Sequence, residues 1–231
     1  MTPNVLCLDL EPRADLPDFQ APRWLGKGVS WVSVKASRES IPRDSLAYSH
    51  IILSGSTYSI TQDDPVVEPA VALVRDAVRR RVPLLGICYG HQLIARALLG
   101  RDHVRHAASP EMGWLPVSCA PSGRDWFQGL PNPFHVFMGH FDEVCNLPAD
   151  WEVIASTPKC AVQAVVNPKL RFLGLQFHPE MDLPIGNRCF QADAEPLAKH
   201  GFDVDAIVRT ARNDGSGAVL IPRFLGHVWP D

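Results

Sequence analysis

The chain has 231 residues, 46% of them apolar and 20% charged, with a net charge of −3. That is the balance of an ordinary globular domain long enough for one well-buried core. It has no basic run to meet a nucleic-acid backbone or an anionic membrane, and no apolar stretch approaches the ~18 residues of a membrane span, so nucleic-acid and membrane partners are excluded.

In chain order, residues 4–10 read as a buried strand and residues 11–27, polar and broken by prolines, as a loop or short helix. Residues 29–34 alternate as a second strand, and residues 50–54 form a third that ends at Gly55. Residues 65–81 carry apolar side chains at 66, 67, 70, 71, 74, 77 and 78, the spacing of a helix face. An apolar strand over 82–87 and a helix over 90–99 follow.

After Gly100 the pattern turns to short strands at 114–120, 134–140, 152–156, 161–166 and 171–177. Helices are predicted over 195–200 and 205–213, with Asp203 or Asp205 as cap. Trp114, Trp126 and Trp151 are expected in the core. The 21 prolines cluster at 3–22, 110–133 and 179–184, which therefore read as loops. Strand–helix alternation in the first half predicts an α/β fold: a mostly parallel central sheet with helices on both faces, and added antiparallel strands from the second half. With no internal repeat and no low-complexity linker, one domain over 1–231 is expected.

The stretch that carries chemistry is Gly86-Ile87-Cys88-Tyr89-Gly90-His91-Gln92. A strand stops at a cysteine flanked by glycines and a helix begins at once, which is the nucleophile elbow with cysteine in place of serine. So tight a turn leaves no room for side chains at Gly86 and Gly90. The sulfur falls at a helix N-terminus, where partial positive charge favours the thiolate. A base is still required. The chain supplies one 90 residues later in Gln176-Phe177-His178-Pro179-Glu180, where a strand ends at a histidine with a carboxylate two positions on. Cys88, His178 and Glu180 are thus candidate nucleophile, base and orienting acid. Amide attack also needs oxyanion donors. The backbone N–H of Tyr89, at the helix start, is one candidate, and Gly55-Ser56 at the end of the third strand is expected to supply the other. Gln92, four residues after Cys88, shares its helix face, and His91 is expected to brace the elbow.

The six cysteines are scattered with no C-x-x-C pair, which fits a reduced, cytoplasmic setting. Met1-Thr2-Pro3-Asn4 has no basic n-region, so no signal peptide is expected. Of nine histidines, His103 and His106, and His135 and His140, are closely spaced. No carboxylate or cysteine at matching spacing completes a ligand set, so no metal is expected. The triad needs no organic cofactor either.

The two segments around Cys88 and His178, together with Ile51-Ile52-Leu53-Ser54-Gly55-Ser56, resemble class I, triad-type glutamine amidotransferases, and most closely the stand-alone GMP-synthase-like glutaminase domain, over about residues 50–181. The resemblance implies a flavodoxin-like fold and attack of Cys88 on the side-chain amide of glutamine. Glutamate and ammonia would form through a γ-glutamyl thioester. It also implies that Gln92 meets the α-substituents of glutamine, although a hydrogen bond to a neighbouring loop explains Gln92 as well. Gly139-His140-Phe141-Asp142-Glu143 resembles the family's glutamine-side loop, which makes His140, Phe141 and Asp142 substrate-binding candidates. Glu111-Met112-Gly113-Trp114 reads as structural. Many relatives have Gly-Gly-Pro where this chain has Gly55-Ser56-Thr57.

No phosphate-binding G-x-x-x-x-G-K-[ST] loop is present. An ammonia acceptor would therefore be a separate synthetase subunit. Two alternatives stand beside glutaminase: a γ-glutamyl peptidase or hydrolase acting on γ-glutamyl amides, and a catalytically silent binding or regulatory subunit.

Overall fold

The structure, a computed structural model, describes residues 3–230. Its strands are β1 (Asn4–Asp9), β2 (Ser30–Lys35), β3 (His50–Leu53), β4 (Leu84–Ile87), β5 (Val104–Cys119), β6 (Phe134–Val144), β7 (Glu152–Ser156), β8 (Ala164–Asn167) and β9 (Phe172–Leu175). The helices are α1 (Val67–Arg79), α2 (Tyr89–Leu99), α3 (Arg124–Phe127), α4 (Leu183–Ala192), α5 (Ala194–Lys199), α6 (Val204–Arg209) and α7 (Ser216–Gly226).

The strands form one nine-stranded sheet in the order β2-β1-β3-β4-β9-β8-β7-β5-β6. The neighbours from β2 to β9 are parallel, and those from β9 to β6 are antiparallel. The sheet is therefore mixed, with a parallel half and an antiparallel half that meet at β9. Short antiparallel strands need only tight turns, whereas parallel neighbours need crossovers.

Alternation along the strands divides the core by face. Leu6, Leu8, Ile51 and Leu53 pack with Val67, Val71 and Val74 of α1 and Leu93 and Ile94 of α2. Val5, Cys7, Ile52, Leu85 and Ile87 point the other way, toward Leu220, Ile221 and Phe224 of α7 and Trp126 and Phe127 of α3. Helices thus cover both faces, as the alternation predicted, and Trp114, Trp126 and Trp151 are all buried. A third cluster joins Trp114 and Phe137 of the antiparallel half to Phe190, Leu197 and Val204 of α4 to α6.

Two proline readings are corrected. The strand expected to begin at Trp114 starts at Val104 and contains Pro110 and Pro116. Pro110 falls within the register shift between His106 and Glu111, and Pro116 pairs with His135 on one side only. On the other side β7 pairs with just Ser118 and Cys119, so the missing N–H of Pro116 costs no ladder bond. The proline-bearing stretch 179–184 is not all loop, because Pro184 lies in the first turn of α4. There a proline loses nothing, and Asp182 caps the helix by accepting from the Ile185 N–H. Helix α7, which contains Pro222 and begins after Gly215 at φ 77°, has no counterpart in the sequence reading. Asp203, one of two expected caps, accepts from the Ala206 N–H at the start of α6.

Helix α4 sits on the antiparallel half through Gly186, where a Cβ would lie 2.6 Å from both Phe137 Cδ2 and Trp114 Cζ2. Gly186→Ala is expected to cost about 1–3 kcal/mol of stability by overpacking. Urea denaturation of the purified variant measures it, and an unchanged midpoint would show that α4 does not seat on those rings.

Candidate active site

Strand β4 ends at Ile87 and Cys88 follows at φ 50° and ψ −106°, a conformation that L side chains rarely adopt. The cost is borne by contacts on all sides. The Cys88 N–H donates to Leu175 O at 2.7 Å, the Gly90 N–H to Ser54 O at 3.0 Å, and the Gln92 N–H to Cys88 O at 3.1 Å. A Cβ on Gly86 would lie 2.5 Å from Gly90 O, and one on Gly90 would lie 2.5 Å from Leu53 O. Glycine is therefore required at both positions by close backbone approach. Behind the elbow, His91 is buried against Gly174, whose added Cβ would fall 2.3 Å from His91 Nδ1.

Strand β9 lies beside β4 in parallel register, with Gly86 opposite Gly174 and Ile87 opposite Leu175. Their C-terminal ends are thus neighbours, and the chain leaving β9 reaches His178 next to Cys88. An isolated bridge, with the His178 N–H donating to Phe137 O at 2.9 Å, fixes the backbone there. His178 Nδ1 lies 2.8 Å from Glu180 Oε1, while the Cys88 thiol donates to Gly139 O at 3.6 Å. Gly55 completes the enclosure, since a Cβ there would lie 2.6 Å from His178 Cε1 and 3.5 Å from Cys88 Cβ. Burial alone pushes the His178 pKa down, but the neighbouring Glu180 carboxylate and Cys88 sulfur outweigh it and raise it to about 10.

Glu180 is 1% exposed. Residues to which the sequence reading gave no role hold its segment in place. The Trp24 indole donates to Glu180 O at 2.9 Å, Asn213 Nδ2 donates to Met181 O at 3.0 Å, and Gly217 of α7 packs so tightly on Pro179 O that a Cβ would come within 2.5 Å.

Cys88, Gly55, Ser56, Gln92, His140, Phe141, Asp142, His178 and Glu180 all line one cavity of about 460 Å³. Among the sequence candidates, Tyr89 contributes its backbone at the first turn of α2, where N–H groups lack intrahelical partners, while its hydroxyl donates to Asp64. The Ser56 hydroxyl donates to Leu10 O. Gln92 is buried, and its amide donates to Asp142 O at 2.8 Å and Gln176 Oε1 at 3.0 Å. These bonds stand where a hydrogen bond to a neighbouring loop rivalled substrate contact in the sequence reading, but the segment 139–143, read as a loop by resemblance, is part of strand β6. The Asp142 carboxylate accepts from the Ser59 hydroxyl and the Ile60 N–H, and its other oxygen lies 2.6 Å from His106 Nδ1. Phe141 is 38% exposed and packs on the His200 ring at the cavity rim.

His140 is braced from behind by Glu111, whose Oε2 also accepts from Thr157 and Gln163. Glu111, His140 and Cys160 bring ligand-capable atoms within 4.8 Å of one another. The spacing argument found no carboxylate or cysteine to accompany His140, because Glu111 and Cys160 arrive from distant segments. Glu111 and His140 hydrogen-bond to each other, and the Cys160 thiol donates to Val162 O. Beside the Gly139 O contact, a second contact to the sulfur was not assigned from sequence: the buried Gln176 amide lies 3.6 Å from Cys88 Sγ. Its place two residues before His178 in the motif was the available signal.

Comparison with known proteins bears on this site. The family described as glutamine amidotransferase class-I matches residues 20–190. The chain is 36% identical over 132 residues to the glutamine-hydrolyzing GMP synthase of Lactobacillus acidophilus, a match covering 57% of this chain but 24% of that protein. It is 34% identical over 131 residues to a glutamine-hydrolyzing GMP synthase subunit of Saccharolobus solfataricus, covering 57% of this chain and 66% of that one. A solved glutamine amidotransferase from Thermotoga maritima superposes with a TM-score of 0.80 at 24% identity, over 97% of this chain and 96% of that chain, and so shares its fold. Among the described residues, no helix is long and apolar enough to cross a membrane.

A histidine whose proton is held more tightly in the folded chain adds stability that is fully present below its ordinary pKa of 6.5 and is lost as pH rises through about 10. The melting temperature is therefore expected to fall across that window, and Glu180→Gln is expected to flatten the slope. Melting curves recorded from pH 6 upward test this, and parallel slopes for the two proteins would contradict it.

Proposed function

Since the chain belongs to the class-I glutamine amidotransferase family, we propose that it hydrolyses the γ-carboxamide of glutamine. Cys88 Sγ attacks the side-chain carbonyl carbon, and the oxygen takes up negative charge opposite the N–H groups of Tyr89 and the Gly55-Ser56 segment. The tetrahedral species collapses as the C–N bond breaks. The nitrogen takes the proton held on His178 and leaves as ammonia. Water, giving a proton back to His178, then cleaves the γ-glutamyl thioester to release glutamate. Glu180 keeps the ring oriented and supports its cationic form.

The observation that carries this reading is the His178 ring, bonded to the Glu180 carboxylate and brought up to Cys88 around Gly55, where one added Cβ would lie 2.6 Å from His178 Cε1 and 3.5 Å from Cys88 Cβ. Gln176 is assigned to the sulfur as a hydrogen-bond donor, and Gln92 holds the Gln176 amide in place. The resemblance to the Saccharolobus GMP synthase subunit supports delivery of ammonia to a separate synthetase chain.

Cys88→Ala is expected to abolish release of glutamate from glutamine while leaving the fold intact by circular dichroism. Retained turnover would reject Cys88 as nucleophile. Gln176→Leu removes one donor to a charged sulfur, a bond worth roughly 1.5–3 kcal/mol, so kcat/KM should fall about ten- to a hundredfold. Iodoacetamide labelling of Cys88 should slow in parallel, and unaltered labelling with unaltered kcat/KM would remove Gln176 from the site.

A further inference from the structure

The cavity over Cys88 is larger and more carbon-lined than release of ammonia requires. At about 460 Å³ it lies in the ~300–1,000 Å³ range of pockets that engulf drug-sized molecules, whereas glutamine is one small amino acid. Arg13, Ser56, Ser59 and Asp142 supply polar lining. Met112, Phe137, Phe141, Phe190, Pro196 and Leu197 supply an apolar wall.

The wall has a definite place relative to the chemistry. The Phe137 ring stands edge-on to the His178 ring, with centroids 5.3 Å apart at 87°. Phe190 of α4 stacks on Phe137 at 4.5 Å and 22°, and Leu197 of α5 belongs to the same buried cluster, against which Met112 packs. The leaving nitrogen must lie beside His178, because that ring delivers its proton. A substituent on that nitrogen therefore extends along the Phe137–Phe190–Leu197 wall, while the glutamyl end occupies the rest of the cavity. Asp193, the carboxylate between α4 and α5, is ion-paired with Arg13 at 2.6 Å, so it is not a free counter-charge for a cationic amine.

We propose that the substrate class of this site extends beyond glutamine to γ-glutamyl amides of apolar amines, with Met112, Phe137, Phe190 and Leu197 as the specificity-determining wall. The proposal rests on the reading of Cys88 as nucleophile and His178 as proton carrier. The steps balance as before: the S–C bond forms, the C–N bond breaks, His178 protonates the departing amine, and water converts the thioester to glutamate.

The test measures glutamate released by the purified chain from L-glutamine, γ-glutamylmethylamide and γ-glutamylphenethylamide. An apolar subsite discriminates by ~10–200-fold for each extra methylene it accommodates, so kcat/KM for the phenethylamide should exceed that for the methylamide and for glutamine by at least about tenfold. Leu197→Asn and Met112→Thr should each bring the phenethyl-to-methyl ratio toward unity. If either variant fails to fold, Phe141→Ser at the cavity rim reads the same ratio. Glutamine cleaved as well as or better than the phenethylamide would overturn the substrate class and leave the glutaminase reading standing. No cleavage of any of the three would overturn the reading of Cys88 itself, and the substrate class with it.

Discussion

The parallel pairing of β4 with β9 is the constraint on which the site depends. Residues 90 positions apart in the chain become neighbours because Ile87 and Leu175 sit opposite each other in one ladder. Each strand then delivers one reactive side chain just past its C-terminal end. In open α/β sheets that edge is where ligands bind. Here it is also where the parallel half of the sheet gives way to the antiparallel half, so the cavity is bounded by both. The Cys88 N–H bond to Leu175 O ties the elbow directly to the strand that carries the histidine.

A buried charge pair at this edge is costly unless its polar atoms are satisfied. The surroundings of Cys88 meet that demand in part, with a connected set of hydrogen bonds that leaves Glu180 Oε2 buried without a partner among the described residues. Glu180 holds one ring nitrogen of His178. The Gln176 amide approaches the sulfur, and Gln92 links that amide to Asp142 O. Glu111 and His140 extend the set beneath the part of β6 that lines the cavity. Much of the polar wall is therefore occupied in holding the reactive groups still. That is why Gln92, read from sequence as either a substrate contact or a brace, is engaged in the structure as a brace.

The antiparallel half and the helices after β9 give the cavity its character. Gly186 allows α4 to lie against Trp114 and Phe137, and the stacking of Phe190 on Phe137 carries the apolar surface up to the His178 ring. Helix α7 and Trp24 secure the Pro179-Glu180 segment from the other side. The same residues thus bear on both the orientation of the proposed base and the shape of the space beside it.

The elbow, the histidine segment and the strand–helix alternation were legible in the sequence because each is a local pattern: glycines two positions from a cysteine, a strand ending at His178, apolar residues at helical spacing. Helix α7 was not legible, since Pro222 interrupts its pattern, and α4 was hidden by Pro184, which reads as a break until Asp182 is seen to cap the turn. The members of the proposed triad were nameable from type and order, but their proximity was decided by β4–β9 pairing, and strand pairing across 90 residues leaves no local mark. The role of Gln176, the meeting of Glu111 with His140, and the apolar wall beside His178 likewise belong to tertiary structure alone. Each joins segments whose proximity follows from sheet order rather than from spacing along the chain.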